Sequence, residues 1–194
     1  MSQPSDSSED RTASDEPVDR KGVGGLLRSP EGRFLIVFMV LLSGGFVALS
    51  LNSINDHLVV PFTAGVAKLS GWALDVIGQD VTMRGTQILS ERFAVDIQNG
   101  CNGLETVVIF VAAVLAFPAS LRAKGIGLAL GVLAIQAVNL VRVVALFLTG
   151  AYLPSLFDSS HTVIWQTIVI AFGVLLWMYW ANRFALPRRA PEQA

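Results

Sequence analysis

The sequence has little of what most soluble enzymes use for chemistry. Only 15% of its 194 residues are charged, and it contains two histidines and one cysteine, Cys101. A single cysteine cannot form an internal disulfide, so cysteine usage leaves the redox compartment open. The chain has no CxxC or HExxH metal motif, no Walker loop and no GxGxxG fingerprint. We therefore expect no metal and no cofactor, and the lack of a basic, aromatic-rich stretch argues against a nucleic-acid partner.

Apolar residues are abundant instead. The types AVILMFWYC make up 53% of the chain, and its mean hydropathy is +0.57. This composition is typical of an integral membrane protein. The first 22 residues are rich in Ser, Asp, Glu and Pro and have almost nothing to bury, which predicts disorder. We therefore expect a disordered cytoplasmic tail at 1–27, a membrane-embedded domain at 28–186 and a cytoplasmic C-terminal tail at 187–194.

Four segments are apolar enough to be transmembrane helices, given that about 20 residues span about 30 Å of hydrocarbon. They are Phe34–Leu51, Leu104–Pro118 with its flanks, Ile126–Thr149 and Val163–Trp180. The first resembles a signal peptide, but the polar region before it exceeds 30 residues, which favours a retained anchor. We predict an all-α membrane protein with about four spans.

Two further elements are predicted between the first and second spans. Leu58–Ile77 carries its apolar residues on one stripe and Lys68 and Asp75 on the opposite face. This pattern is typical of an amphipathic helix lying in the membrane interface. Apolar and polar residues then alternate over Phe93–Gln98, which predicts a short external β-hairpin that leads the chain to Cys101.

The basic residues orient the spans. They form three groups, before the first span, between the second and third, and after the last: Arg20, Lys21, Arg28 and Arg33; Arg122 and Lys124; and Arg183, Arg188 and Arg189. With four spans all three groups lie on the cytoplasmic side, as the positive-inside rule requires. Residues 52–103 and 150–161 are then outside. A fifth span at Leu58–Ile77 would break this pattern.

Three side chains capable of chemistry fall on the outer half of this topology. Cys101 begins the second span between two Asn-Gly pairs, and His161 opens the fourth. Arg142 lies about 12 Å below the outer end of the third span. Each also has a structural explanation without a catalytic role. Cys101 could be a small apolar side chain, His161 an interfacial histidine, and Arg142 an anchor to the lipid headgroups. Arginine inside a membrane is costly, however, and usually marks function.

Together these side chains are the parts of a cysteine acyl-transfer site. A thiol nucleophile needs an activating base and a donor or cation for the oxyanion. His161 is the easier proton carrier near neutral pH, and Arg142 the easier oxyanion partner. A helix start favours the thiolate form of Cys101 while Glu105 opposes it, so the sequence leaves the pKa of the thiol open. His57 is also predicted outside, with no evident partner.

The motifs around these residues strongly resemble those of the exosortase/archaeosortase family of membrane cysteine transpeptidases. They are NGCNGLET around Cys101, NLVRVVALF around Arg142 and FDSSH ending at His161. The resemblance spans roughly residues 34–184. The compact size, with one span before the hairpin, looks most like the exosortase H branch. That branch is associated with substrates carrying an IPTLxxWG-type C-terminal tail.

The resemblance implies a sorting enzyme of the Gram-negative envelope, embedded in the inner membrane with its site facing the periplasm. Its partners would be secreted proteins that end in a short motif, a hydrophobic helix and a basic cluster. Cys101 would attack a peptide carbonyl near the motif and form a thioacyl enzyme, which water or an acceptor amine would resolve. The resemblance assigns Arg142 and His161 to proton transfer and transition-state stabilisation. Candidates for a supporting role are Asn102, Asn139 and Glu105.

Two other classes of function remain open. A non-catalytic membrane scaffold would tolerate replacement of Cys101. A transporter or lipid-handling protein would use Asn139 and Arg142 to bind an anionic headgroup. Four spans without inverted repeats or broken helix pairs argue against a transporter.

Overall fold

The computed structural model describes residues 29–185, and the predicted tails at 1–27 and 187–194 lie outside these residues. The main elements are five α-helices and three short strands. In chain order they are α1 (Pro30–Ser50), α2 (Val60–Val76), β1 (Thr82–Arg84), β2 (Gln87–Leu89), β3 (Ala94–Asp96), α3 (Leu104–Ala116), α4 (Leu121–Tyr152) and α5 (Trp165–Trp180). The predicted fold class, a helical membrane protein with a small β element, is confirmed.

Short helical turns connect the main helices. Two turns precede α2, namely Asn52–Ile54 and the π-helical turn Asn55–Val59. Three turns precede α5, namely Pro154–Leu156, Phe157–Ser159 and the π-helical turn Ser160–Ile164. A last π-helical turn, Ala181–Ala185, extends α5. Such π-helical turns are frequent at functional sites, and one of these carries His161.

Within residues 29–185, three helices are long and apolar enough to cross a membrane by length and composition, namely α1, α4 and α5 with its extension. The second predicted span, Leu104–Pro118, is present as α3 but has only 13 residues, about 20 Å of helix. It ends at Ala116 because Pro118 disfavours helical geometry at Phe117, which is extended. The third predicted span is longer than expected, because α4 has 32 residues.

The helices bring the basic segments to one end of the bundle. The ring of Phe34, at the start of α1, lies 6.0 Å from the rings of Phe117 and Trp177 near the ends of α3 and α5. The indole Nε1 of Trp180 donates a hydrogen bond of 2.8 Å to the carbonyl of Ala123 at the start of α4. The predicted topology requires this arrangement. The side of the membrane that this end faces stays a prediction.

Helix α2 packs against α4 through a face of mostly small side chains. The residues buried on this face are Thr63, Ala67, Ser70, Gly71 and Leu74. Much of the predicted apolar stripe points away from the protein, because Leu69, Val76 and Ile77 are exposed. An exposed apolar stripe is what a bilayer would cover, and the interfacial position of α2 stays a prediction.

The β element differs from the prediction in its number of strands. A two-stranded hairpin was expected, whereas the structure has a three-stranded antiparallel sheet in the order β1-β2-β3. Thr82 pairs with Leu89, and Leu89 in turn with Ala94. The additional strand was not predicted, because β1 has three residues that are all exposed and therefore shows no alternation of buried and exposed positions.

A core cluster fixes this sheet on the helices. Ile88 and Ile97 are buried against α2 and α4, and Cys101 packs at the edge of the same cluster. The buried members are Ala67, Leu74, Ile88, Ile97, Val143 and Phe147. The sheet therefore lies over the segment of α4 that carries Arg142.

Candidate active site

Cys101 lies in a tight turn between β3 and α3, and not in the helix itself. Its backbone N–H donates to the carbonyl of Gln98 at 3.0 Å. Gly100 and Gly103 have φ of +91° and +79°, which other residues adopt at a cost. The Glu105 carboxylate accepts a hydrogen bond of 2.7 Å from the N–H of Gly100. The small residues that frame the cysteine are therefore required by the turn.

His161 is the nearest partner of the thiol. Its Nε2 lies 2.6 Å from Cys101 Sγ, although the two residues are 60 positions apart in the chain. The imidazole stacks on the ring of Phe157 with centroids 5.8 Å apart and an angle of 13° between the rings. This stacking and the π-helical turn hold the imidazole beside the thiol. The distance is short enough for direct proton exchange.

Arg142 completes a cluster of three. Its side chain is only 2% exposed, and its Nη2 lies 3.8 Å from Cys101 Sγ. The Nη1 donates a hydrogen bond of 3.4 Å to the carbonyl of Gly100. Arg142 is ten residues before the end of α4 at Tyr152, so the cluster lies about 15 Å below that end. The guanidinium therefore contacts both the thiol and the backbone that presents it.

Burial and two nearby charges shift the pKa of the Cys101 thiol. Burial raises its pKa, the Arg142 guanidinium opposes this rise, and the Glu105 carboxylate adds to it. The pKa of the thiol is raised overall, which favours the protonated form of Cys101. The expected help from the helix start is limited because α3 begins at Leu104, three residues after Cys101.

Asn102 joins the turn to two helices. It is fully buried, and its Nδ2 donates a hydrogen bond of 3.0 Å to the hydroxyl of Thr63 on α2. Its Oδ1 accepts a bond of 3.0 Å from the N–H of Leu104 at the start of α3. Thr63 was not predicted to contact the site, because it belongs to no recognisable motif.

Asn139 supports the turn by packing. It is fully buried, and within residues 29–185 neither of its amide atoms has a hydrogen-bond partner. A Cβ atom placed on Gly103 would lie 2.9 Å from Asn139 Cγ. The two residues thus fit together only because position 103 has no side chain. Gln136, one turn earlier on α4, also approaches this glycine.

A cavity of about 460 Å³ opens beside the cluster. It is bordered by residues 93–99, Cys101 and His161, together with Val143, Leu146 and Phe157. A volume of 300 to 1,000 Å³ is usual for ligand sites. Residues 93–99 were not predicted to border the site, because their position beside the cavity depends on the pairing of the sheet.

His57 lies outside this arrangement. Its side chain is exposed, and its Nδ1 lies 2.9 Å from the carbonyl of Ser53 in its own helical turn. In the part of the chain that the structure describes, no group of three or more His, Cys, Asp or Glu side chains could hold a metal ion. The groups that meet at the candidate site are the Cys101 thiol, the His161 imidazole and the Arg142 guanidinium.

The fold and the cluster define a membrane protein with several apolar helices and a partly buried Cys–His–Arg site between them. The chain matches the family described as Transmembrane exosortase (Exosortase_EpsH) over residues 22–179, and it belongs to that family. No curated protein and no solved structure matches it. Membership supports a role as a membrane protease or transpeptidase in general. The substrate and the catalytic roles of individual residues stay predictions.

Proposed function

We propose that the protein is a membrane cysteine transpeptidase that cleaves the C-terminal sorting signal of secreted proteins. The observation that carries this proposal is the 2.6 Å contact between Cys101 Sγ and His161 Nε2, with Arg142 beside it. A partly buried thiol held against an imidazole is the arrangement in which a base activates a nucleophile. Family membership supports the same class of reaction.

The first half of the reaction forms a thioester. His161 Nε2 takes the proton of the Cys101 thiol as Sγ attacks the substrate carbonyl carbon. The tetrahedral oxyanion that results is stabilised by the positive charge of Arg142. The C–N bond then breaks, and the imidazolium of His161 gives the proton to the leaving amine. The acyl group of the secreted protein is left on Sγ.

The second half releases the acyl group. Water or an acceptor amine loses a proton to His161 and attacks the thioester carbonyl. The C–S bond breaks, and the imidazolium returns its proton to the Cys101 sulfur. Hydrolysis gives a free carboxylate, whereas an amine acceptor gives a new amide in the envelope.

The substrate and the location follow from the same proposal. A tail with a short motif, a hydrophobic helix and a basic cluster would enter the bilayer beside the bundle, with its motif at the depth of Cys101. The resemblance to the exosortase H branch favours a motif of the IPTLxxWG type. The positive-inside pattern of the basic residues supports a site on the periplasmic side of the inner membrane.

The test is mass spectrometry of the C-terminus of a candidate substrate that is co-expressed with the protein. Wild-type protein should shorten the substrate at the motif, and Cys101→Ala should leave it intact while remaining inserted in the membrane. Cys101→Ser should retain a trace at most, because a hydroxyl is far less ionised than a thiol. Processing at the wild-type rate by Cys101→Ala would leave the scaffold or the lipid-handling role as the better account.

A further inference from the structure

The strand that leads to Cys101 has a free edge. β3 is the last strand of the sheet, and within residues 29–185 it pairs only with β2. On the β2 side the carbonyl of Phe93 accepts a backbone hydrogen bond at 3.0 Å, and the N–H of Ile97 donates one at 3.1 Å. Bonding in an antiparallel ladder alternates with a period of two. The N–H and C=O groups of Ala94 and Asp96 therefore point away from β2.

This free edge borders the cavity beside the catalytic cluster. The residues that line the cavity include Phe93 to Asn99 in unbroken order, and among the described residues none from β1 or β2 lines it. Cys101 and His161 line the same cavity. An open row of backbone donors and acceptors and the proposed nucleophile thus face one space. Ala94 and Asp96 are both exposed among the described residues 29–185, so this edge is open to solvent.

We propose that the substrate segment to be cleaved binds in extended form along the free edge of β3, as a fourth strand of the sheet. This proposal rests on the proposed function. Strands pair about 4.8 Å apart, and main-chain hydrogen bonds then supply affinity that does not depend on sequence. An extended segment also presents its carbonyl groups, whereas in an α-helix each is already hydrogen-bonded to an N–H four residues later. The edge of β3 would keep the end of the substrate's hydrophobic helix unwound at Cys101.

The direction of the added strand follows from the path of the protein chain. β3 runs towards Cys101, after which the chain enters the bundle as α3. A sorting signal likewise runs from its secreted part into the membrane. The two segments therefore run the same way, and the added strand is parallel to β3.

Ala94→Pro tests this pairing. Proline removes a backbone N–H that points away from β2, and edge strands tolerate proline. We expect KM for a candidate substrate to rise by about 2- to 10-fold, the loss that one hydrogen bond represents, with little change in kcat. In a Cys101→Ala background, capture of the uncleaved substrate should fall by a similar factor. The matched control is Met83→Pro, because Met83 pairs with Ile88 and its N–H points away from β2 on the opposite edge.

A second measurement does not depend on the folding of a variant. Synthetic peptides spanning the motif of the candidate substrate and the first turn of its hydrophobic helix are prepared, each with one amide replaced by an ester. Replacement should weaken inhibition of processing at alternate positions, because only alternate residues bond to β3. A uniform effect or no effect along the peptide, together with an unchanged KM for Ala94→Pro, would overturn the added strand. Processing that does not need Cys101 would instead overturn the proposed function, while capture by the Cys101→Ala protein would still decide the pairing.

Discussion

A methyl group added at Gly103 should destabilise the protein more than the same change at any neighbouring glycine. The φ of +79° costs an L-residue about 1–2 kcal/mol. The new Cβ would also lie 2.9 Å from Asn139 Cγ, and Asn139 is fully buried, so it has little room to yield. Overpacking of this kind costs about 1–3 kcal/mol. The expected loss for Gly103→Ala is therefore about 2–5 kcal/mol.

Substitutions at two other glycines distinguish the cost of the positive φ from the cost of the contact with Asn139. Gly100 has a φ of +91° but no atom within 4 Å of its would-be Cβ, so Gly100→Ala should lose only about 1–2 kcal/mol. Gly44 lies in α1 with a negative φ and open space, so Gly44→Ala should be neutral or stabilise by roughly 0.5–1 kcal/mol.

The assay uses a natural feature of the chain. Cys101 is its only thiol, so a thiol-reactive fluorophore reports unfolding in detergent from this one partly buried site. The midpoint temperatures should fall in the order Gly44→Ala, Gly100→Ala, Gly103→Ala. Equal losses for Gly100→Ala and Gly103→Ala would show that the contact with Asn139 contributes nothing, and the packing argument would fail.

Three further predictions concern the cluster. His161→Ala should lower turnover by about 10²–10⁴-fold, which is the usual contribution of a general acid–base group. His57→Ala is the control and should process substrate almost normally. The reverse result would identify His57 as the base. Arg142→Lys should be severely impaired in the same processing assay, because lysine loses the planar fork that reaches two partners, and near-full activity would reduce Arg142 to a generic charge. Glu105→Gln keeps an acceptor for the turn but removes a negative charge that raises the pKa of Cys101. The pH profile of iodoacetamide labelling should therefore shift to lower pH, and a shift to higher pH would contradict the sign of that interaction.

The helical framework is largely readable from the sequence, because it depends on local properties. Long apolar runs predict helices in any membrane, and the start of α1 follows from Ser29, whose hydroxyl caps the N–H of Gly32, and from Pro30 in the first turn. The basic segments predict that the ends of α1, α3 and α5 share one end of the bundle. The sequence also allowed Cys101 and His161 to be named as candidate site residues, because a single thiol and an imidazole at predicted helix starts are unusual.

The tertiary structure decided what depends on distant parts of the chain. Whether Cys101 and His161 touch depends on how α3 and α5 pack, because 60 residues separate the two. The additional strand was not predicted, because the three exposed residues of β1 are too few to give a periodic signal. The protonation of Cys101 could not be read either, because its pKa depends on burial and on the distance to Arg142. A sequence records which groups are present, whereas desolvation, coulombic interactions and strand pairing act through space, and their strength is set only when the chain has folded.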